Sequence, residues 1–349
     1  MIESSIHLLL RLIVILLALL ALSSMYLFVM RQIEVVRNGK IFNYKKAVLP
    51  EWIDFLNGVT DFSCTLIPRT KEEIVAVEEI LLSYLHNVRS PGLLDKISNF
   101  ANHHMISHYR KMLRSLNWSV RMNALYRIVD FQMDGMKLEL ERFERRKLSK
   151  EERFQLLKFK ALFSKEQFFH DFTANQQSYS EYELKKLLMN VDHKLLEDLI
   201  LRFDEFTPQV QHTLMDVIGV KQDSIALPFI ELKMQSNDPE LRIRALKAAF
   251  EIGLAMKLEI LAPFVHSDYW EERMMAAKLF RSIDFEHSYP HLMQLLADQS
   301  WWVRYQAART ILKHRNGKET LQEFIRFGKD RYAVDMAIEA LSKEGEELG

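Results

Sequence analysis

The sequence predicts an all-α fold: a stack of paired helices, an α-α superhelix, preceded by a single transmembrane helix. Three observations carry that prediction. The 349 residues hold only 10 Gly and 8 Pro against 48% hydrophobic residues, too few turn formers for many short strands and enough apolar side chains for a sizeable core. An arginine-centred pattern recurs every thirty-one residues near the C-terminus. And the first thirty residues contain an uninterrupted apolar run.

That run, Leu12 to Met30, has nineteen uncharged and mainly apolar residues, which at about 1.5 Å each span roughly the hydrocarbon core of a bilayer. Ala21, Leu22 and Ser23 have the small-x-small form of a signal-peptide cleavage site. The apolar run nevertheless continues past them to Met30, and only Arg11 precedes it, so an uncleaved anchor over residues 1–31 is expected. Arg31, Arg37, Lys40, Lys45 and Lys46 lie just after the span. By the positive-inside rule the N-terminus should sit outside a cell membrane and the C-terminal domain in the cytoplasm. Residues 32–50 then form a basic juxtamembrane tether whose four cations, with Arg31 just before them, can face anionic lipid headgroups.

Residues 51–206 read as irregular helical hairpins. Thr70 with Glu73, and Ser149 with Glu152, have the spacing of a capping box, in which each side chain satisfies the other residue's backbone N–H. The first should open a helix running to about His86, which the stretch Arg89 to Leu94 then breaks. The charge run Lys137 to Arg153 mixes both signs and reads as a solvated helix face.

Residues 207–349 carry the repeat. Stepping back from Arg304 by thirty-one gives Arg273, then Arg242, then Gln211; ninety residues earlier lies Arg121. Three positions before these anchors stand Trp301, Trp270, Pro239, Pro208 and Trp118. Residues one before and three, four and seven after each anchor are mostly apolar or small, which makes one face of an α-helix. A fixed period in this range marks a solenoid. Between these first helices lie the apolar runs Ile225–Met234, Leu258–His266, Tyr289–Ala297 and Leu321–Phe327, each a candidate second helix, with Pro228, Pro263 and Pro290 near its start.

These residues resemble the HEAT-repeat family, whose first helix reads roughly D-P-x-V-R-x-x-A-A-x-x-L; residues 238–250 and 300–312 match best, whereas Glu272 puts a charge where the valine belongs. The resemblance implies a concave surface that binds protein partners, and usually no catalysis. It also implies that Asp238, Arg242, Asp268, Arg273, Asp298 and Arg304 form a structural ladder between successive turns. Trp301 shares the phase of Pro239 and should pack against the neighbouring repeat. Trp302 has no apolar counterpart and is the candidate partner-binding aromatic.

Signals for chemistry are thin. His104 with His108, and His287 with His291, have i, i+4 spacing but lack the glutamate of H-E-x-x-H. Cys64 has no neighbouring histidine and reads as a small buried thiol. No catalytic, cofactor-binding or metal-ligating residue is assigned, and no cofactor is expected. Lys plus Arg and Asp plus Glu balance at 47 each, and residues 236–349 carry a net −2, so nucleic acid is not an expected partner. The sequence therefore reads as a membrane-anchored cytoplasmic scaffold or adaptor for a membrane-associated protein complex, with an accessory role to a polysaccharide glycosyltransferase as one case. Two other classes stay open: a HEAT-like repeat enzyme, similar to phycobilin lyases or DNA glycosylases, and a direct binder of anionic lipid through residues 101–170, which carry a net +7.

Overall fold

The computed structural model describes the backbone of every residue except Met1, Arg89, Asp223, Leu254, Leu348 and Gly349, and side chains from Ile13 to Lys343 apart from those and Ser224. Among the described residues there are nineteen α-helices and no strand. The chain divides into two compact units, Met1–Ser164 and Lys165–Gly349.

Unit 1 contains α1 (Ile2–Asn57), α2 (Lys71–Asn87), α3 (Leu93–His104), α4 (Ile106–Leu113), α5 (Trp118–Asp130), α6 (Lys137–Glu144) and α7 (Lys150–Phe163). Residues 32–50 continue α1 without a break beyond the apolar segment, through Pro50 to Asn57. The reason lies in the pattern of its last turns. Ile41, Tyr44, Val48, Leu49, Trp52, Phe55 and Leu56 recur at three- and four-residue spacing, and this stripe packs into the core with Trp52 fully buried. Upstream, the apolar side chains from Ile13 to Met30 lie bare, as the surface of a membrane-spanning helix would. One rigid helix therefore joins the apolar segment to the first hairpins. Both expected capping boxes form, at Thr70/Glu73 and Ser149/Glu152, and a third, Ser180/Glu183, opens a helix in unit 2.

Unit 2 contains α8 (Lys165–Asn175), α9 (Glu181–Leu188), α10 (His193–Leu201), α11 (Pro208–Lys221), α12 (Leu227–Lys233), α13 (Pro239–Ile252), α14 (Leu258–Leu261), α15 (Trp270–Leu279), α16 (Phe285–Leu296), α17 (Trp301–Leu312), α18 (Gly317–Phe327) and α19 (Arg331–Glu347). First helices pack in sequence order, α9 on α11, α11 on α13, α13 on α15, α15 on α17 and α17 on α19. The repeat face makes that possible: Val303, Ala307, Ala308 and Ile311 are all buried, as are Leu241, Ala245, Leu246 and Ala249. Small residues set the closest approach, at Gly219 of α11, where an added Cβ would come within 2.8 Å of the Ala248 Cα.

The second helices are less regular than the sequence suggests. The run Leu258–His266 is one turn of α-helix followed by a 3₁₀ turn, Ala262–His266, with Pro263 near its start. Pro290 lies well inside α16, not near its start, because Asp284 caps that helix at Phe285.

Candidate functional site

Each first helix of the repeat places its anchor arginine four residues after the N-cap, so the guanidinium lies beside the loop that enters its own helix. The same bond recurs four times. Nη1 of Arg121, Arg242, Arg273 and Arg304 donates to the carbonyl six residues earlier, on Ser115, Ser236, Ser267 and Asp298, at 3.1, 2.9, 2.7 and 2.7 Å. Those four residues are themselves turn formers, each side-chain oxygen accepting from the backbone N–H two positions on. The arginine thus fixes a loop that would otherwise hold exposed, unpaired carbonyls.

The other edge of the guanidinium reaches the next repeat. Arg121 Nε donates to Glu152 at 2.8 Å and Arg242 Nε to Glu272 at 2.7 Å. Both glutamates are buried and sit three residues after the N-cap of the following first helix. Arg273 instead grips Asp298 with two bonds, 2.6 and 3.0 Å. Among the described residues Arg304 finds no such carboxylate: its Nε is buried without a partner and its guanidinium lies 5.6 Å from the Tyr332 ring centre.

Of the predicted ladder, Arg273 with Asp298 does join successive repeats, and the other members come together differently. Arg242 pairs with Glu272, not with an aspartate, so the residue that spoiled the sequence match is the acceptor of the step. Asp238 caps α13 and bonds His212 Nε2 at 2.6 Å; that histidine stands next to Gln211, which holds the arginine's place. Asp268 is not the helix cap, a position held by Tyr269, and acts on Arg273 only through its charge. With Arg242, Glu272 and Tyr269 it lines a cleft of about 570 Å³. Sequence reasoning missed Glu152 and Glu272, although each lies thirty or thirty-one residues after an anchor arginine.

The aromatic row faces outward. Trp301 is 40% exposed and Trp302 55% exposed. The ring contacts of Trp301 lie within its own helix: it stacks on Tyr305, centroids 5.0 Å apart and 10° between planes, and meets Trp302 edge-on. Its position at the first residue of α17 precedes the buried stripe that starts at Val303, which is why it escapes burial. Trp270 and Tyr269 at the start of α15, and Tyr332 at the start of α19, are also exposed. Exposed rings thus recur at the starts of three first helices that are neighbours, α15, α17 and α19, a row we call the aromatic stripe, with Arg309 and Lys343 over the Tyr305 ring. Exposed aromatics bordered by cations are the side chains that dominate protein interfaces.

Among the basic residues after the span, Arg31, Arg37, Lys40 and Lys46 are exposed, while Lys45 is spent on the fold, bonding Glu79 of α2 at 2.8 Å. The paired histidines face separate neighbours. His104 stacks on Phe62, His108 meets Tyr109 edge-on, and His291 stacks on Phe280. Cys64 is exposed, contrary to the expectation, because it begins a 3₁₀ turn in which Leu66 takes the buried position.

The HEAT-repeat family model matches residues 289–313, which cover most of α16 and all of α17. The chain carries HEAT-like helical repeats. No curated protein matches the sequence. Among solved structures, the crystal structure of an engineered protein is 16% identical over 78% of this chain and 79% of that one, with a TM-score of 0.29, too loose a likeness to carry any argument. A HEAT-repeat solenoid with one helix long and apolar enough to cross a membrane is a scaffold fold suited to binding protein.

Proposed function

We propose that this protein is a membrane-anchored adaptor: α1 crosses the bilayer with its N-terminus outside, and the repeats hold a protein of a membrane-associated complex in the cytoplasm. A polysaccharide glycosyltransferase is one such complex, on the strength of the layout of anchor and repeats alone. The observation that carries the reading is the exposed aromatic stripe of unit 2. A half-exposed Trp pair beside Tyr305 costs solubility, so its retention on the surface favours a partner that covers it. The helical ladder of unit 2 is committed to holding its loops and helices together, which supports a rigid binding platform over a catalytic site.

The test is site-specific photo-crosslinking in intact cells. A benzophenone amino acid at Trp302 should give a discrete adduct in the membrane fraction, and the same probe at Glu323, exposed on α18, should not. Identical patterns from the two positions would overturn the stripe as the interface. Orientation is checked separately: a C-terminal alkaline phosphatase fusion should be inactive and a C-terminal fluorescent protein bright, and the reverse pair would put the repeats outside.

A further inference from the structure

Unit 1 contains a second feature that the adaptor reading does not use. A cleft of about 770 Å³ opens where α1, α2, α4 and α5 converge. Its cations come from all four helices and the loop between α4 and α5: Arg37 from α1, Lys71 from α2, Lys111 from α4, Arg114 from the loop and Arg127 from α5. One carboxylate, Glu78, also lines it. That group is already engaged, accepting from the buried Tyr109 hydroxyl at 2.6 Å with Arg127 3.9 Å away, and burial raises its pKa above the ordinary carboxylate value. Among the described residues, Arg37, Lys71, Lys111 and Arg114 have no carboxylate within ion-pair distance. Four unpaired cations around one opening repel one another, and an anion bound between them would relieve that repulsion. The neighbouring His108 reports the same field: burial first, then Lys71 and Lys111, hold its pKa below the usual histidine value.

The position of Arg37 says where such an anion comes from. It lies seven residues past Met30 on the unbroken helix α1, about 10 Å along the axis from the end of the apolar run. Between them Ile33, Val35 and Val36 are each more than half exposed, interleaved with the polar Arg31, Gln32 and Glu34. If α1 spans the bilayer, these residues lie at the acyl–headgroup boundary and the mouth of the cleft lies among the headgroups.

We infer that the cleft formed by Arg37, Lys71, Lys111, Arg114 and Arg127 is a binding site for a phosphate monoester, supplied by the headgroup of an anionic lipid. The monoester suits the site because it carries close to two negative charges at neutral pH and three acceptor oxygens. Zwitterionic headgroups do not match an unpaired excess of cations. The lipid as source rests on the reading of α1 as a membrane anchor; the phosphate site itself does not. Such a site would hold unit 1 against the bilayer in one orientation, which a lone helix does not do.

The experiment uses the full chain in nanodiscs of phosphatidylcholine, with and without phosphatidic acid, released into native mass spectrometry. Phosphatidic acid should stay bound as a discrete adduct. Neutralising two lining cations, Lys71→Gln with Lys111→Gln, should reduce its retention by about twenty- to thirty-fold, at about fivefold per cation near a membrane surface. Lys46→Gln, exposed on α1 outside the cleft, should change it little. Equal losses from both would mean diffuse attraction and overturn the site, and so would full retention in the double variant. Circular dichroism of each variant separates lost binding from lost folding. Glycerol 3-phosphate, added to the phosphatidylcholine discs, distinguishes the source: binding as tight as that of phosphatidic acid would overturn the lipid and leave a soluble phosphate ester. Carbonate extraction of cell membranes tests the anchor independently, since release of the chain would sink that reading while leaving the phosphate result standing.

Discussion

The step from α13 to α15 and the step from α17 to α19 start from the same arginine and end differently. In the first, Arg242 holds its own entry loop and the buried Glu272 of the next helix, and Glu272 in turn accepts from Ser267 in the loop that precedes it. In the second, Arg304 holds its own loop in the same way but meets only an aromatic ring across the gap. The loop bond belongs to a single repeat, whereas the carboxylate belongs to its neighbour. At this step no acid among the described residues reaches Arg304, and α19 is held through apolar burial of Ala333, Met336, Ala337 and Ala340.

The largest effect should come from breaking the complete step. Glu272→Ala leaves Arg242 facing a cavity with no countercharge, and removing one member of a buried pair costs about 3–5 kcal/mol. Denaturant unfolding of the full chain in detergent should show that loss, and a loss below about 1 kcal/mol would mean that the pair is solvated. Next comes the contact surface shared by both steps. Ala307→Leu inserts bulk into a fully buried seam of α17 and should cost about 1–3 kcal/mol; a neutral result would place Ala307 outside the seam. The incomplete step should be much softer. Arg304→Met keeps the stem, loses two bonds to carbonyls and removes an unpaired buried Nε, for a net loss of about 1 kcal/mol. If it matches Glu272→Ala, Arg304 has an acceptor of its own and the two steps are alike. The smallest effect belongs to the exposed stripe. Trp302→Ala should leave stability within about 0.5 kcal/mol while reducing crosslinking at neighbouring positions.

Much of the repeat was legible because it repeats. The buried positions around Arg242 and Arg304 follow from a helical period in one stretch of chain, and the thirty-one-residue step locates the next stretch. The acceptors were not legible in the same way. Glu272 interrupts the apolar period of its own helix, so a reading helix by helix counts it as a defect; only the packing of α13 on α15 shows it as the partner of Arg242. Trp301 shows the converse limit. Its phase matches Pro239, but phase states where along the helix a residue sits, not whether another element covers it, and at the first residue of α17 the ring is left 40% exposed.

From the sequence alone came the all-α class, the nineteen-residue apolar run, the capping boxes and the register of the buried face, because each depends on residues within a few turns of one another. Tertiary structure decided what lies further apart. It welded residues 41–56 of α1 into the core of unit 1, so that the apolar helix and the first hairpins are one body. It gathered the cations of the unit 1 cleft from helices separated by up to ninety residues, and exposed Cys64 while burying Leu66. Helical periodicity constrains side chains that share a backbone cylinder, whereas an ion pair or a cleft depends on how separate cylinders are laid side by side.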